Sequence, residues 1–537
     1  MTRKLEWGLG LLASAALVFF HAVFLRSAGA LWRDEVNSVN LATMPLPQIW
    51  KDLQFDSFPV AWCSLLRAWI LAGPGSTDLG IRVLGLLLGL GVVGVLWWNA
   101  RRLGHGVPLV ALALLGFDSA VICYGDSIRA YGLGMLLGLL TFGLVWEATN
   151  HPIPRRVLPC TAAAVVSVHC LFYNAVFLLA ACAGGAAVAT RRRQWRTVGM
   201  LAGMGLLAAL SLLPYREMLE DQKAWNFIVR SSIDLRWIWK KFLEATASTG
   251  PFAQLLWLAC AAGALVVAVA AWARPNRSAA DERRREVLLY CGAALVTGVA
   301  GYLLFLLRLS YPMQPWYFLA LMALVAASAD GIIGAFAGRR ASSLRVVAAL
   351  VVVALALSPV WNSVRVRKTN IDRIASTLGQ STAPGDLVVV SPWYYGVAFD
   401  RYYRGAADWV TIPPMSFHKL HRYDLLRDAM ASPGVMQPVL DRLEAALRTG
   451  HRIWWIGDIA APPDGPAPVL PPASRAPWGW NEFPYYRGWG MQAGYVLRLH
   501  ALRAQAVPVP SDGPVNPYEN LPLHVIEGWR TGVDGQR

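Results

Sequence analysis

Leu31-Trp32-Arg33-Asp34-Glu35-Val36-Asn37-Ser38-Val39-Asn40 sets two adjacent carboxylates beside an arginine, directly after the first long apolar run of the chain. A carboxylate costs several kcal/mol to bury in hydrocarbon, so this stretch must lie in water or in a polar cavity at a membrane face. Ionisable side chains held at such a place form a site by default. The plainer reading is that Asp34 or Glu35 caps an interfacial helix or pairs with Arg33.

Composition makes the surroundings a membrane. The chain has 537 residues, 56% hydrophobic and only 15% charged, and a soluble protein of this length has no use for so much apolar surface. Twenty-four tryptophans fit aromatic belts at two interfaces. Residues 362–537 carry a net charge of +3, which leaves +13 on residues 1–361. That excess reads as loop topology and contact with anionic lipid, not as nucleic-acid binding. The seven cysteines all lie in or beside apolar segments and none follows Cys291, so the C-terminal region has no disulfide and no zinc-like spacing. Residues 5–25 lack a small-residue cleavage site before Arg26 and read as a retained first helix.

Apolar runs fall at 5–25, 80–98, 107–123, 131–147, 157–171, 173–190, 197–214, 251–273, 287–307, 316–336 and 344–361. Eleven runs predict about eleven transmembrane helices, the fifth and sixth being short enough to form a hairpin turning near His169 to Asn174. Basic clusters at Arg101-Arg102, Arg155-Arg156, 191–196, 274–285 and 339–345 occupy every second connection. The positive-inside rule makes that side cytoplasmic, with the N-terminus on it. The loop 29–79 and residues 362–537 then fall on the opposite, periplasmic or extracellular face of an inner (plasma) membrane. The 215–250 segment breaks the charge rule, with six cations among three tryptophans. It reads as an interfacial amphipathic helix, or as a surface for a lipid phosphate.

Beyond Asn362 the period changes. Ile371–Leu378 predicts a helix, Asp386–Ser391 a strand after a Pro-Gly turn, Val435–Leu447 an amphipathic helix, and Arg452–Ile456 another strand. Short apolar strands alternating with helices predict an α/β domain over 362–537, separate from a membrane module over 1–361. Residues 461–480, rich in Pro and Ala, predict an exposed loop.

The polar groups converge on one membrane face. Asp34, Glu35 and Asp56 come from the first external connection, and Asp126 and Arg129 from the second. Three residues apart, the latter two would share a face on a helix and could pair. His169 and Tyr173 occupy a third connection, and Arg82, Lys240 and Arg308 supply further cations. Such a site suits a membrane-bound phosphate. A polyprenyl phosphate leaves readily once cations neutralise it, and the remaining need is a carboxylate to take a proton from an acceptor hydroxyl.

These residues resemble GT-C glycosyltransferases, and within them family 39, the protein O-mannosyltransferase and lipid A aminoarabinose transferase group. Asp34-Glu35 after the first span is similar to the family's external-loop motif, and Asp56-Ser57-Phe58-Pro59 to its Pro-containing segment. Arg82-Val83-Leu84-Gly85 resembles its arginine at the start of the second span. Tyr124 to Tyr131 is similar to its aromatic-acid-arginine-tyrosine segment, and Val168-His169 to its His-aromatic turn. The family's usual double proline is here Phe58-Pro59, its glutamate is Asp126, and Tyr311-Pro312 and Trp316-Tyr317 stand where arginine-tyrosine is common.

The resemblance implies an inverting transferase with a polyprenyl-phosphate sugar as donor and an acceptor hydroxyl on a lipid, protein or polysaccharide. Asp34, Glu35 and Asp126 would be catalytic. Arg82, Arg129, Lys240 and Arg308 would hold the donor phosphate, and Tyr131, His169 and Tyr173 would touch substrate. No cofactor is required, a divalent cation is left open, and no metal ligand is assigned. His418, His421 and Asp424 read as solvated side chains before they read as a metal site. The pairs Tyr394-Tyr395 and Tyr402-Tyr403 either stack on sugar rings or pack the domain. The rival function is a flippase for a lipid-linked sugar. That rival calls for inverted repeats and broken helices at the midplane, which the sequence does not display.

Overall fold

The computed structural model describes residues 2–226, 233–246, 253–272, 278–309, 313–335, 339–460, 468–472 and 481–530. The expectations for Tyr311-Pro312, for Arg230 and for most of the 461–480 loop lie outside them. The chain divides into two compact units. One comprises Met1–Ser27, Phe58–Arg216 and Ser232–Arg365, the other Ala28–Ser57, Glu217–Ser231 and Val366–Arg537.

The first unit is helical. Among the described residues eight helices are long and apolar enough to cross a membrane: Lys4–Ser27, Asp78–Leu103, Ala130–Asn150, Asn174–Arg191, Trp195–Gln222, Ala280–Arg308, Pro315–Ala335 and Arg345–Val364. The chain is a multi-pass membrane protein. Three of the eleven apolar runs fall outside this set. Gln254–Ala270 is a shorter apolar helix, and Pro154–Val168 has 15 residues with Pro159 inside it. The turn after it falls at His169–Tyr173, where the sequence placed it. The run 107–123 is not one helix. It breaks into Leu109–Ala111, a π-turn at Leu112–Gly116, and Ser119–Gly125, restarted by the Asp118 side chain accepting from the Ala120 and Val121 amides. Residues 107–122 are nearly all buried, which is where irregular backbone is tolerated in a membrane protein.

Basic residues at the helix ends do more than set charge. Arg102 and Arg156 both clasp Glu147, Arg191 holds Glu282 and Arg192 holds Glu286. Arg345, 1% exposed, donates to the Val107 carbonyl at 2.8 Å and lies 3.5 Å from Glu6 and 3.7 Å from Asp330. Asp330 also holds His105 at 2.6 Å. Helices distant in sequence are thereby tied by buried charge that is paired.

The second unit holds a five-stranded sheet: β1 (Leu387–Val390), β2 (Asp408–Thr411), β3 (Ile453–Ile456), β4 (Ala501–Val507) and β5 (Leu523–Trp529), in the order β2-β1-β3-β5-β4. β1 runs parallel to β2 and β3, while β5 is antiparallel to β3 and β4. β1 and β3 are buried at every position, as continuous apolar strands should be. The amphipathic helix Gln437–Arg448 buries Val439, Leu443, Ala446 and Leu447, which fall at helical spacing. Helices Arg33–Thr43 and Leu46–Asp52, from the stretch after the first span, belong to this unit.

Candidate functional site

In the second unit the site grows from the helix Arg33–Thr43. Trp32 is its N-cap residue, and Glu35, at the third helical position, reaches back to accept from the Trp32 amide at 3.2 Å. That contact caps the helix start and leaves Glu35 fully buried. Asp34 remains 23% exposed, 3.5 Å from Arg33 Nε and 4.0 Å from His421 Nδ1. The adjacent carboxylates thus divide their work, one fixing the helix and one meeting solvent.

Asp34, Asn37 and Ser38 are spaced to share a helical face. The Asn37 amide donates to Asp56 Oδ1 at 2.9 Å and to the Phe55 carbonyl at 3.1 Å, while its oxygen accepts from the His421 backbone at 2.8 Å. Ser38 Oγ is 2.9 Å from both Asp56 oxygens. Asp56, from the Pro-containing segment, is therefore a buried acceptor that locks the helix in place. Arg33 is clasped rather than available. Its amide donates to Glu519 Oε1 at 3.0 Å, and its guanidinium lies 4.4 Å from the centre of the Tyr394 ring and 5.3 Å from that of Tyr395. Burial pushes Glu519 up to about 7, against the pull of Arg33.

In the first unit Asp126 pairs with His21, whose Nδ1 stands 2.7 Å from Oδ2, both side chains being buried. The backbone from 126 to 129 is a turn between Ser119–Gly125 and Ala130–Asn150, so the expected helical face shared by Asp126 and Arg129 does not exist. The turn packs closely on helix Asp78–Leu103. A Cβ on Gly85 would come 2.0 Å from the Asp126 carbonyl, and one on Gly89 2.2 Å from Asp126 Oδ1. Arg82, buried and three residues before Gly85, shares that face.

Arg129 lies with its guanidinium 4.4 Å from the Phe58 ring centre, and Phe58 meets Tyr131 edge-on at 5.4 Å. Trp316 completes the group, 6.3 Å from Tyr131 and 4.8 Å from Tyr124. His169 is engaged at both nitrogens, by Tyr215 at 2.9 Å and Ser211 at 3.0 Å, and its carbonyl accepts from the Ala61 amide. Tyr173 is buried against Tyr302, Phe305 and Tyr317. Lys240 and Arg308 are exposed, and among the described residues neither forms an ion pair. No described group of three or more His, Cys, Asp or Glu side chains is arranged for a metal ion.

The sequence missed His21 and left Asn37 without a role, and His421, read there as solvated, is buried because its backbone and ring pack against the Asp34 helix. A lone histidine in an apolar helix was the available signal for the first. The Asn-Ser pair one turn after Asp34 was the signal for the second.

No protein-family model and no curated protein matches the sequence. Solved structures do. ArnT from Cupriavidus metallidurans, bound to undecaprenyl phosphate, superposes with a TM-score of 0.50 at 13% identity, over 84% of this chain and 93% of that one. The chain has the GT-C fold. Also similar are the apo oligosaccharyltransferase of Archaeoglobus fulgidus (TM-score 0.49, 10% identity, 84% of this chain and 69% of that one) and the arabinosyltransferase EmbB of Mycobacterium smegmatis (0.38, 14%, 60% and 30%).

Proposed function

We propose that this protein is a membrane glycosyltransferase that moves a sugar from a polyprenyl-phosphate donor to an acceptor hydroxyl, with inversion at the anomeric carbon. Asp34 takes the acceptor proton as the acceptor oxygen bonds to that carbon. The bond from the carbon to the phosphate oxygen breaks and polyprenyl phosphate departs. Arg82 and Arg129, with Lys240 and Arg308, neutralise the phosphate as its charge develops. Glu35 acts through the helix start it fixes, Asp126 is the carboxylate that the membrane-spanning unit adds to the site, and Tyr131 beside Arg129 contacts substrate. His169 and Tyr173 shape the wall behind it. In this reading residues 1–361 form the catalytic membrane module and 362–537 an extracytoplasmic domain of an inner-membrane protein, the N-terminus being cytoplasmic.

The observation that carries the reading is the unequal fate of the acid pair. Glu35 is spent on the cap, and Asp34 alone of the two meets solvent, on a helix pinned by Asn37, Ser38 and Asp56. The undecaprenyl phosphate held by the ArnT structure of the same fold supports the donor class.

Asp34→Asn tests it. In purified full-length protein the variant should keep its fold and its binding of undecaprenyl phosphate while sugar transfer falls by roughly 10²–10⁴-fold, the usual contribution of a positioned base. Turnover within a few-fold of the parent would remove Asp34 from the mechanism. For orientation, cysteines placed at residues 450 and 280 should label from outside and inside respectively, and the reverse pattern overturns the topology.

A further inference from the structure

Both tyrosine pairs belong to the second unit. Tyr402, half-exposed, accepts the Leu31 amide at 2.8 Å, and the buried Tyr403 stacks on Phe399 at 4.7 Å. Tyr395 donates to the Tyr518 carbonyl at 3.1 Å, and Tyr394 and Tyr395 are half-exposed like Tyr402, together with Tyr423 and Tyr486. They surround the buried Trp393, which lies 6.3 Å from Tyr394 and 5.6 Å from Tyr423 and donates its indole N–H to Tyr486 at 3.0 Å. Tyr394 and Tyr486 meet edge-on at 6.1 Å. This aromatic face is continuous with Asp34. His421 sits 6.1 Å from Trp393 and 6.3 Å from Tyr423, and its Nδ1 is the atom 4.0 Å from the Asp34 carboxylate.

One further carboxyl belongs to this face and to nothing yet described. Glu482 is 7% exposed, and its Oε2 has no hydrogen-bond partner among the described residues. It begins the helix Glu482–His500 one turn before Tyr486, and it lies close enough to Tyr423 and Tyr486 for its charge to act on both hydroxyls. Burial pushes it up to about 8, so near neutral pH it carries a proton and is a hydrogen-bond donor in search of an oxygen.

Accepting the transferase reading above, we propose that the acceptor is a saccharide, bound on the face of Tyr394, Tyr423 and Tyr486 with the Glu482 carboxyl donating to one of its hydroxyls and another hydroxyl presented to Asp34. The apolar C–H face of a sugar ring suits a cluster of aromatic rings, and its rim of hydroxyls suits carboxyl groups at the edge of that cluster. An anionic acceptor fits poorly. Arg33, whose guanidinium lies on the Tyr394 ring, is already claimed by Asp34 and Glu519.

Saturation-transfer NMR on the full-length protein in detergent tests the proposal, with the neutral methyl glycosides of glucose, mannose, galactose and arabinofuranose as probes and a serine-containing peptide as the contrast. At least one glycoside should bind through its ring protons. Glu482→Leu and Tyr486→Ala should each weaken that binding tenfold or more. Glu482→Gln, which keeps a neutral donor, should hold it within threefold, and Tyr394→Leu serves as a further variant on the exposed rim if either of the first two fails to fold. Undecaprenyl phosphate binding should be unchanged in all four. Binding of no glycoside, preference for the peptide, or glycoside binding indifferent to Glu482→Leu and Tyr394→Leu overturns the proposal. The two readings fail separately: full transfer activity in Asp34→Asn with saccharide binding intact sinks the mechanism and spares this site, whereas loss of transfer in Asp34→Asn without any saccharide binding does the reverse.

Discussion

Gly89→Ala is the smallest change that reaches Asp126, the buried acid paired with His21. On helix Asp78–Leu103 a Cβ at this position would stand 2.2 Å from Asp126 Oδ1, 2.6 Å from His21 Cε1 and 2.7 Å from His21 Nδ1. Ordinary contact begins at 3.4 Å, so the carboxylate and imidazole must each retreat by close to an ångström or part from one another. Retreat is hindered by Gly85, where the Asp126 carbonyl already sits at the limit of approach. Overpacking of this kind costs about 1–3 kcal/mol, and breaking a buried ion pair costs roughly 3–5 kcal/mol. Alanine returns about 1 kcal/mol of helix propensity, which leaves a net loss of roughly 0–2 kcal/mol if the pair only shifts and roughly 2–4 kcal/mol if it breaks. Gly94→Ala on the same helix is the control, because nothing lies within 4 Å of its Cβ position, and it should be neutral or slightly stabilising. Tryptophan fluorescence melts of the detergent-solubilised chain at one scan rate would compare the two, with transfer activity measured alongside. Gly89→Ala should melt lower than Gly94→Ala and lose activity. Indistinguishable melts would refute the close docking of the Asp126 turn.

Other outcomes follow from single groups. Glu482 ionises later in the folded protein, near 8, than its ordinary value of 4.5. Its contribution therefore favours folding fully below pH 4.5 and is lost as pH rises to 8, at about 1.4 kcal/mol per unit and roughly 4–5 kcal/mol in all. Glu482→Gln should flatten the fall in stability between pH 6 and 8, and an unchanged pH slope would show the carboxyl to be solvated. Asn37→Ala removes the acceptor of the buried His421 amide and one of the donors to Asp56, and should cost about 1–3 kcal/mol. It should also lower turnover more than it weakens donor binding; a pure stability loss with full turnover would deny that the network aims Asp34. Arg345→Met leaves Asp330 and Glu6 without their shared cation and should cost roughly 3–5 kcal/mol, read as lost expression and an earlier melt.

What the sequence made legible was whatever is encoded locally. Eight of the runs became long apolar helices, the hairpin turned at His169–Tyr173, and β1, β3 and the helix Gln437–Arg448 stand where their periodicity put them. The run 107–123 misled because apolar composition reports burial, not regular backbone, and Asp118 inside it was the overlooked sign of a new helix start. β2, β4 and β5 escaped notice for a different reason. Asp408–Thr411 is a short edge strand, and Ala501–Val507 with Leu523–Trp529 gain their order by pairing with each other and with β3. The site divides in the same way. That Glu35 would be buried could have been read from its place three residues beyond Trp32, the spacing of a helix cap. That Asp34 would face His421, that Asp126 would close on His21 across 105 residues, and that Gly85 and Gly89 would make room for it could not. Each of these depends on a partner far along the chain, and no periodicity in either segment announces the other. Sequence therefore names the acids, while the tertiary partners decide which of them is buried in a cap or a network and which meets solvent.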